Sequence, residues 1–308
     1  MKVGVISNID LCLPLLYFLT NNKAEVNLYF GSSTTIDPKR RAVNQFCNNY
    51  NISCSDQSEK KENVYQWMNR VNDDLVFVIG HLQKIDVRKA NPKLGMYNIH
   101  FGKLPHYRGA SPVFWQMKNM EPTLGLAIHE LTEEMDSGPV YWQKEIRNEE
   151  HFSHNYVQYL FSNLLLEGVN EILYGVNGSP LQPVNQDESK ACWYARPGLK
   201  DVLIKWDSMS AAEISTLVRA CNNWNAGAIT LYQGMELKII DAMYEKTKTG
   251  KVQEPGTITG CSDSISISCR NGDELFIHYL SLNGIPFPGR LAKQYGIIEG
   301  ERLTYPLD

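Results

Sequence analysis

Asp74-Leu75-Val76-Phe77-Val78-Ile79-Gly80 is an unbroken apolar run between an acid and a glycine. A strand with one face in water alternates apolar and polar residues, whereas a continuous run fits a strand covered on both faces, as in a parallel sheet flanked by helices. The surrounding chain follows the same plan. Upstream, residues 2–7 read as a first strand because Val3, Val5 and Ile6 are β-branched. Residues 11–19 read as a helix, 26–30 as a strand, 38–49 as a helix with proline in its first turn, and 63–71 as a shorter helix. Downstream, 96–99, 124–128 and 140–145 read as strands. Residues 154–174 carry apolar groups near helical spacing and read as a long closing helix. Alternating strands and helices predict an α/β domain with a mostly parallel sheet.

After residue 175 the composition turns to Gly, Pro, Asn, Gln and Ser, with Pro180, Pro183 and Pro197, which predicts a linker. Ser210-Ala211-Ala212-Glu213 then has the form of a capping box, opening a helix whose apolar stripe is Ile214, Leu217, Val218 and Cys221. Short strand-like runs follow at 228–232, 237–241, 256–259, 265–269 and 275–280, with an Asn271-Gly272 turn, and predict a small antiparallel barrel. At 308 residues the chain exceeds the usual span of one core. The expected division is a catalytic domain over 1–180, a linker over 181–203 and a barrel domain over 204–308.

A net charge of −4 offers no global attraction to nucleic acid, although Lys39-Arg40-Arg41 form a local basic patch that a phosphate could meet. The bland reading of that patch is a solvated helix face, and it is preferred. No segment reaches the roughly 20 apolar residues of a membrane span. The run 11–19 is broken by Pro14 and lacks the basic start of a secretory signal, so a cytoplasmic protein is expected. Seven scattered cysteines with no C-x-x-C pair indicate reduced thiols rather than a disulfide framework or a zinc site, and no metal is expected.

The densest group of unusual residues is Asn98-Ile99-His100, then Leu104-Pro105-His106-Tyr107-Arg108-Gly109, then Met135-Asp136-Ser137-Gly138-Pro139. Side chains alternate along a strand, so Asn98 and His100 lie on one side at its carboxyl end, where open α/β sheets bind ligands. A short loop after the 124–128 strand would bring Asp136 to the same rim. Together the three supply an amide donor for an oxyanion, an imidazole that passes protons near neutral pH, and a carboxylate to orient it. The remaining histidines, His106, His129, His151, His154 and His278, have no ligand spacing and read as structural.

Asn98-Ile99-His100, Leu104-Pro105-His106-Tyr107-Arg108-Gly109 and Asp136-Ser137-Gly138-Pro139 resemble the motifs of the N10-formyltetrahydrofolate-dependent formyltransferases. The likeness extends to Ile204-Lys205-Trp206, Val218-Arg219-Ala220, Pro255-Gly256-Thr257 and Gly300-Glu301-Arg302-Leu303. The resemblance implies a Rossmann-like formyltransferase domain followed by a small antiparallel OB-like β-barrel domain. It implies Asn98, His100 and Asp136 as catalytic residues. The folate would be held by Gly80, His81, Leu82 and Gln83 and by Thr132, Glu133, Glu134 and Met135, largely through main-chain groups. Gly102, Lys103, Tyr107 and Arg108 are candidates for contact with the acceptor; for Arg108, stapling its own loop is an equal alternative. Relatives usually carry Ser-Leu-Leu-Pro after the histidine, where this chain has Phe101-Gly102-Lys103-Leu104-Pro105.

N10-formyltetrahydrofolate is therefore the expected co-substrate. The first loop, Ser7-Asn8-Ile9-Asp10-Leu11-Cys12, is closer in character to the amino-sugar enzymes, so the expected acceptor is the amine of a sugar nucleotide. Methionyl-tRNA formyltransferase is the alternative, with tRNA as partner. A formyltetrahydrofolate hydrolase and an inactive folate-binding scaffold are further readings. A homodimer is compatible with the resemblance.

Overall fold

The computed structural model describes residues 1–31, 38–56, 63–81, 83–91, 93–221, 225–246 and 253–306. Leu82, expected near the folate, lies outside them. Contacts divide the chain into two compact units. The first comprises Met1–Pro112, Thr123–Ile146 and Gln158–Tyr194; the second comprises Val113–Pro122, Arg147–Val157 and Ala195–Asp308.

In the first unit, β1 (Lys2–Ser7), β2 (Glu25–Phe30), β3 (Ser53–Asp56), β4 (Leu75–Ile79) and β5 (Gly95–His100) form a parallel array. A two-residue strand, β6 (Arg108–Gly109), precedes β7 (Thr123–Glu130) and β8 (Val140–Arg147). The seven-stranded sheet has the order β3-β2-β1-β4-β5-β7-β8, with β7 antiparallel to β5. The sheet is thus mostly parallel and Rossmann-like, as expected. Its helices are α1 (Leu13–Asn21), α2 (Pro38–Tyr50), α3 (Val64–Val71), α4 (Pro112–Lys118) and α5 (His154–Tyr174), α4 and the start of α5 falling in the second unit.

The run that decided the fold is buried as its composition demands, with Val76, Phe77, Val78 and Ile79 at 4% exposure or less. One of its faces joins Ile6, Tyr29, Val64, Trp67, Met68 and Met96 in a core. Helix α3 is placed for this by a capping box: the Asn63 side chain accepts from the Tyr65 and Gln66 amides at 3.0 Å each, and Gln66 accepts from the Asn63 amide at 3.1 Å. Asn72, left-handed at φ 50°, ends it. Trp67 and Met68 thereby face the sheet.

Segment 181–203, read as a linker, includes β9 (Trp193–Tyr194), which pairs in parallel with β6. In the second unit, the single turn α6 (Leu199–Val202) precedes α7 (Ala211–Cys221). The predicted capping box opens α7: Ser210 donates its amide to Glu213 at 2.7 Å, and Glu213 returns its amide to Ser210 Oγ at 3.2 Å. Strands β10 (Ala228–Tyr232), β11 (Met235–Glu245), β12 (Ile258–Cys261), β13 (Ile265–Ser268), β14 (Glu274–Leu282) and β15 (Ile285–Pro288) form a separate antiparallel sheet. Its order is β10-β11-β14-β13-β12, with β15 on β14. All seven cysteines are free, and burial pushes the Cys12, Cys221 and Cys269 thiols up to about 12. Among the described residues no helix is long and apolar enough to cross a membrane.

Candidate active site

Strand period two puts Met96, Asn98 and His100 on one face of β5, and Met96 anchors that face in the Trp67 core. Because β7 runs antiparallel to β5, Glu130 at its end lies opposite Tyr97, with His129 opposite Asn98 and Ala127 opposite His100. This revises the route expected for Asp136. The loop does not rise from a neighbouring strand to the rim beyond β5. It leaves beside the start of β5 and folds back along the strand.

Several groups bring Asp136 to its place. Gln186, from the segment read as linker, donates both hydrogens of its amide, to the Asp136 carbonyl at 2.9 Å and the Gly138 carbonyl at 2.7 Å. Asp136 adopts the left-handed conformation at φ 54°, which Asp tolerates better than most residues. The Gly109 amide donates to Asp136 Oδ2 at 2.8 Å. Gly109 itself has φ 96°, and any side chain there would run into the Tyr194 carbonyl, so the Tyr-Arg-Gly sequence needs its glycine.

The polar groups then converge. Asn98 Nδ2 donates to Asp136 Oδ1 at 3.2 Å and lies 3.0 Å from His129 Nε2. His100 Nδ1 and His129 Nε2 lie 3.6 and 3.5 Å from the same Oδ1. His100 Nε2 is 2.6 Å from the Tyr107 carbonyl, an acceptor only, so that nitrogen carries a hydrogen and donates it. The imidazole is therefore oriented chiefly by Tyr107 and only at longer range by Asp136. Burial works against charge on Asp136, yet the neighbouring His100 and the Gly109 amide hold its carboxyl below the usual carboxylate range. His100 and Asp136 are 6% and 7% exposed, so their interactions are little screened by water.

Three side chains expected to meet the acceptor are engaged within the protein. Arg108, 1% exposed, donates to Gln186 and Glu188 and lies over Trp193, the stapling alternative raised for it. Lys103 donates to Thr123 at 2.8 Å and pairs with Glu145 at 3.2 Å. Tyr107 stacks on Tyr194, ring centroids 5.0 Å apart. Gly102 lies against the His100 ring: a Cβ there would come within 2.7 Å of both His100 Cδ2 and the Tyr107 carbonyl oxygen. The Phe101-Gly102-Lys103 departure thus leaves the space in which His100 reaches Tyr107.

On the folate side, Gly80 follows β4 at φ 61°, and burial lowers the His81 imidazole to about 4, with Nδ1 buried and unpartnered. Gln83 is exposed. Glu133, Glu134 and Met135 are exposed on a turn tied at its ends, where the Thr132 and Ser137 hydroxyls both donate to the Glu134 carbonyl at 3.0 Å. Leu131, at the head of that turn, packs on the core containing Val78 and Ile85, which flank Gly80-Gln83 in sequence. His129 and Gln186 are the site residues that sequence reasoning missed. His129 offered only its position one residue past an alternating strand, and Gln186 offered no signal at all. Among the described residues no group of three or more His, Cys, Asp or Glu is arranged to hold a metal ion.

The family model described as "Formyl transferase" matches residues 28–158, and "Formyl transferase, C-terminal domain" matches residues 199–286. Among curated relatives, the methionyl-tRNA formyltransferase of Clostridium novyi (strain NT) is 26% identical over 249 residues, covering 79% of this chain and 76% of its own. Two solved structures share the fold. HypX from Aquifex aeolicus in complex with tetrahydrofolic acid has a TM-score of 0.69 at 19% identity, covering 99% of this chain, which spans 51% of HypX. WlaRD, a sugar 3N-formyl transferase solved in the presence of dTDP and 5-N-formyl-THF, has a TM-score of 0.70 at 16% identity, with 90% and 97% covered. With the two formyl transferase models matched in order along it, the chain belongs to the formyl transferase family of enzymes.

Proposed function

We propose that this protein transfers a formyl group from N10-formyltetrahydrofolate to the amino group of a nucleotide-linked amino sugar. The observation that carries the reaction type is the meeting of Asn98, His100 and Asp136 within 3.6 Å, with His100 and Asp136 buried. Residues on the folate side fit a flat ring with donor and acceptor edges. The buried, unpartnered His81 Nδ1 and the turn whose Glu133, Glu134 and Met135 are exposed offer polar partners, and Leu131 at the head of that turn packs on the core containing Val78 and Ile85. N10-formyltetrahydrofolate, when bound, supplies the formyl carbon and a nitrogen that takes up the proton lost by the acceptor.

The chain's own part is positioning and proton handling. His100 keeps Nε2–H on the Tyr107 carbonyl, so Nδ1, beside Asp136, is the atom that takes and returns a proton. Asp136 stays ionised and stabilises positive charge as it forms on that ring. Asn98 hydrogen-bonds the reacting pair.

The sugar-nucleotide acceptor is supported by WlaRD and by the engagement of several basic residues within the protein. Arg40 is buried at 4% exposure, Lys39 pairs with Asp10 at 3.8 Å, and in the second unit Arg219 donates to the Glu149 and Phe152 carbonyls. The Clostridium relative favours methionyl-tRNA as the second reading. Incubating the purified protein with N10-formyltetrahydrofolate and either a panel of dTDP- and UDP-linked amino sugars or charged initiator tRNA separates the two. Turnover with the tRNA alone replaces the first reading by the second. A cytoplasmic location belongs to the same proposal.

A further inference from the structure

His129 shares Asp136 Oδ1 with His100 but takes no part in the proton transfer described above. Its Nδ1 lies 2.8 Å from the Glu130 carbonyl, which can only accept, so Nδ1 carries the hydrogen. In the neutral ring Nε2 then presents a lone pair, and it faces Asn98 Nδ2 at 3.0 Å. The ionised Asp136 Oδ1, at 3.2 Å from the same Nδ2, also demands a donor. Turning the Asn98 amide over would set its oxygen against that lone pair and that carboxylate together. The amide orientation is thus determined twice over by its neighbours, whichever way the atoms are first assigned. Both Nδ2 hydrogens are spent, and among the described residues Oδ1 makes no hydrogen bond, on a side chain that is only half-buried.

We infer that His129 is a positioning residue which fixes the Asn98 amide with Oδ1 outward, so that Asn98 meets the acceptor as a hydrogen-bond acceptor for its amine N–H. This rests on the formyl-transfer reading above and changes one part of it: Asn98 holds the nucleophile and does not donate to the formyl oxygen. An amine that donates one N–H to Oδ1 has its lone pair directed by that bond. The new bond joins the amine nitrogen to the formyl carbon, the bond from that carbon to the donor nitrogen breaks, and the proton shed by the amine ends on the donor nitrogen. His129 is 1% exposed and sits directly opposite Asn98 in the β5–β7 register, so no intervening group is needed to transmit its effect.

The test has two arms on the full-length protein. With 15N-histidine labelling, long-range 1H–15N correlation spectra report each ring's tautomer, and the signals lost in His129→Gln identify His129. A neutral ring with Nδ1 protonated and Nε2 bare is expected; a protonated Nε2 in the neutral ring overturns the inference. In the second arm, N10-formyltetrahydrofolate and the dTDP- or UDP-linked amino sugar turned over by the wild type are the probes. His129→Gln places Oε1 as an acceptor near the position of Nε2 and keeps kcat within about threefold, whereas His129→Phe keeps the bulk, loses the acceptor and lowers kcat about tenfold or more with the donor KM unchanged. Equal kcat in wild type and His129→Phe, or equal losses in both variants in step with a lower Tm, overturns it. If the wild type formylates none of the amines offered, the functional proposal fails, and the tautomer arm still decides the orientation of Asn98.

Discussion

Replacing Asp136 by Asn tests the site through stability and chemistry at once. The carboxylate accepts from the Gly109 amide at Oδ2 (2.8 Å) and from Asn98 Nδ2 at Oδ1 (3.2 Å). An asparagine has one oxygen for these two donors, so in either orientation one half-buried N–H faces an NH2 group. A lost hydrogen bond to a charged group costs about 1.5–3 kcal/mol, and the donor left facing another donor brings the expected total to roughly 3 kcal/mol. For a unit of this size that lowers the apparent Tm by roughly 6–12 °C. The pH dependence has a defined sign. The folded-state carboxyl is held below its ordinary value, so its stabilisation is fully present above the unfolded pKa of about 4 and is lost as pH falls toward the depressed folded value. Calorimetry of wild type and Asp136→Asn should give a gap that is constant from pH 8 to about pH 5 and narrows below about pH 4. Formyl transfer should fall about 10²- to 10⁴-fold, the usual reach of acid–base assistance. A Tm difference under about 1 °C at pH 7.5, or a gap that widens on acidification, would refute the reasoning about this carboxylate.

Gly102→Ala drives a methyl group onto the His100 ring and the Tyr107 carbonyl, so kcat should fall about tenfold or more, while a Tm near that of wild type would show that only the ring has moved. Asp73, 9% exposed with Oδ2 unpartnered, has its carboxyl raised to about 6 by burial despite a 2.6 Å hydrogen bond from Asn27. A raised folded value means that its charge opposes folding above about pH 6 and costs nothing below about pH 4, so Asp73→Asn should gain about 2 kcal/mol over wild type at pH 8 and nothing at pH 4 in urea titrations. Trp67→Ala empties the middle of the sheet–α3 core and should cost about 3–5 kcal/mol, read as a lower urea midpoint; a loss under about 1 kcal/mol would mean that the core closes over the cavity.

Much of this protein was legible along the chain because its signals are local. The apolar run 74–80 announced a strand buried on both faces, the Ser210 box marked a helix start, and strand period two put Asn98 and His100 on one face. β3 escaped notice because Ser53-Cys54-Ser55-Asp56 has no apolar pattern; it is a strand because β2 offers it a parallel edge. The destinations of Arg108 and Lys103 also escaped. A cation near a catalytic motif reads the same whether it faces a ligand or, as here, Glu188 and Glu145, since the partner lies up to 80 residues away.

By itself, then, the sequence determined which residue types are available for the chemistry and which strand bears two of them. Tertiary structure alone decided how they are oriented. The antiparallel register of β7 sets His129 against Asn98, and Gln186 holds the loop that carries Asp136. Both depend on pairings between distant segments, whose energy is gained only when the sheet assembles and which leave no periodic trace in either segment alone.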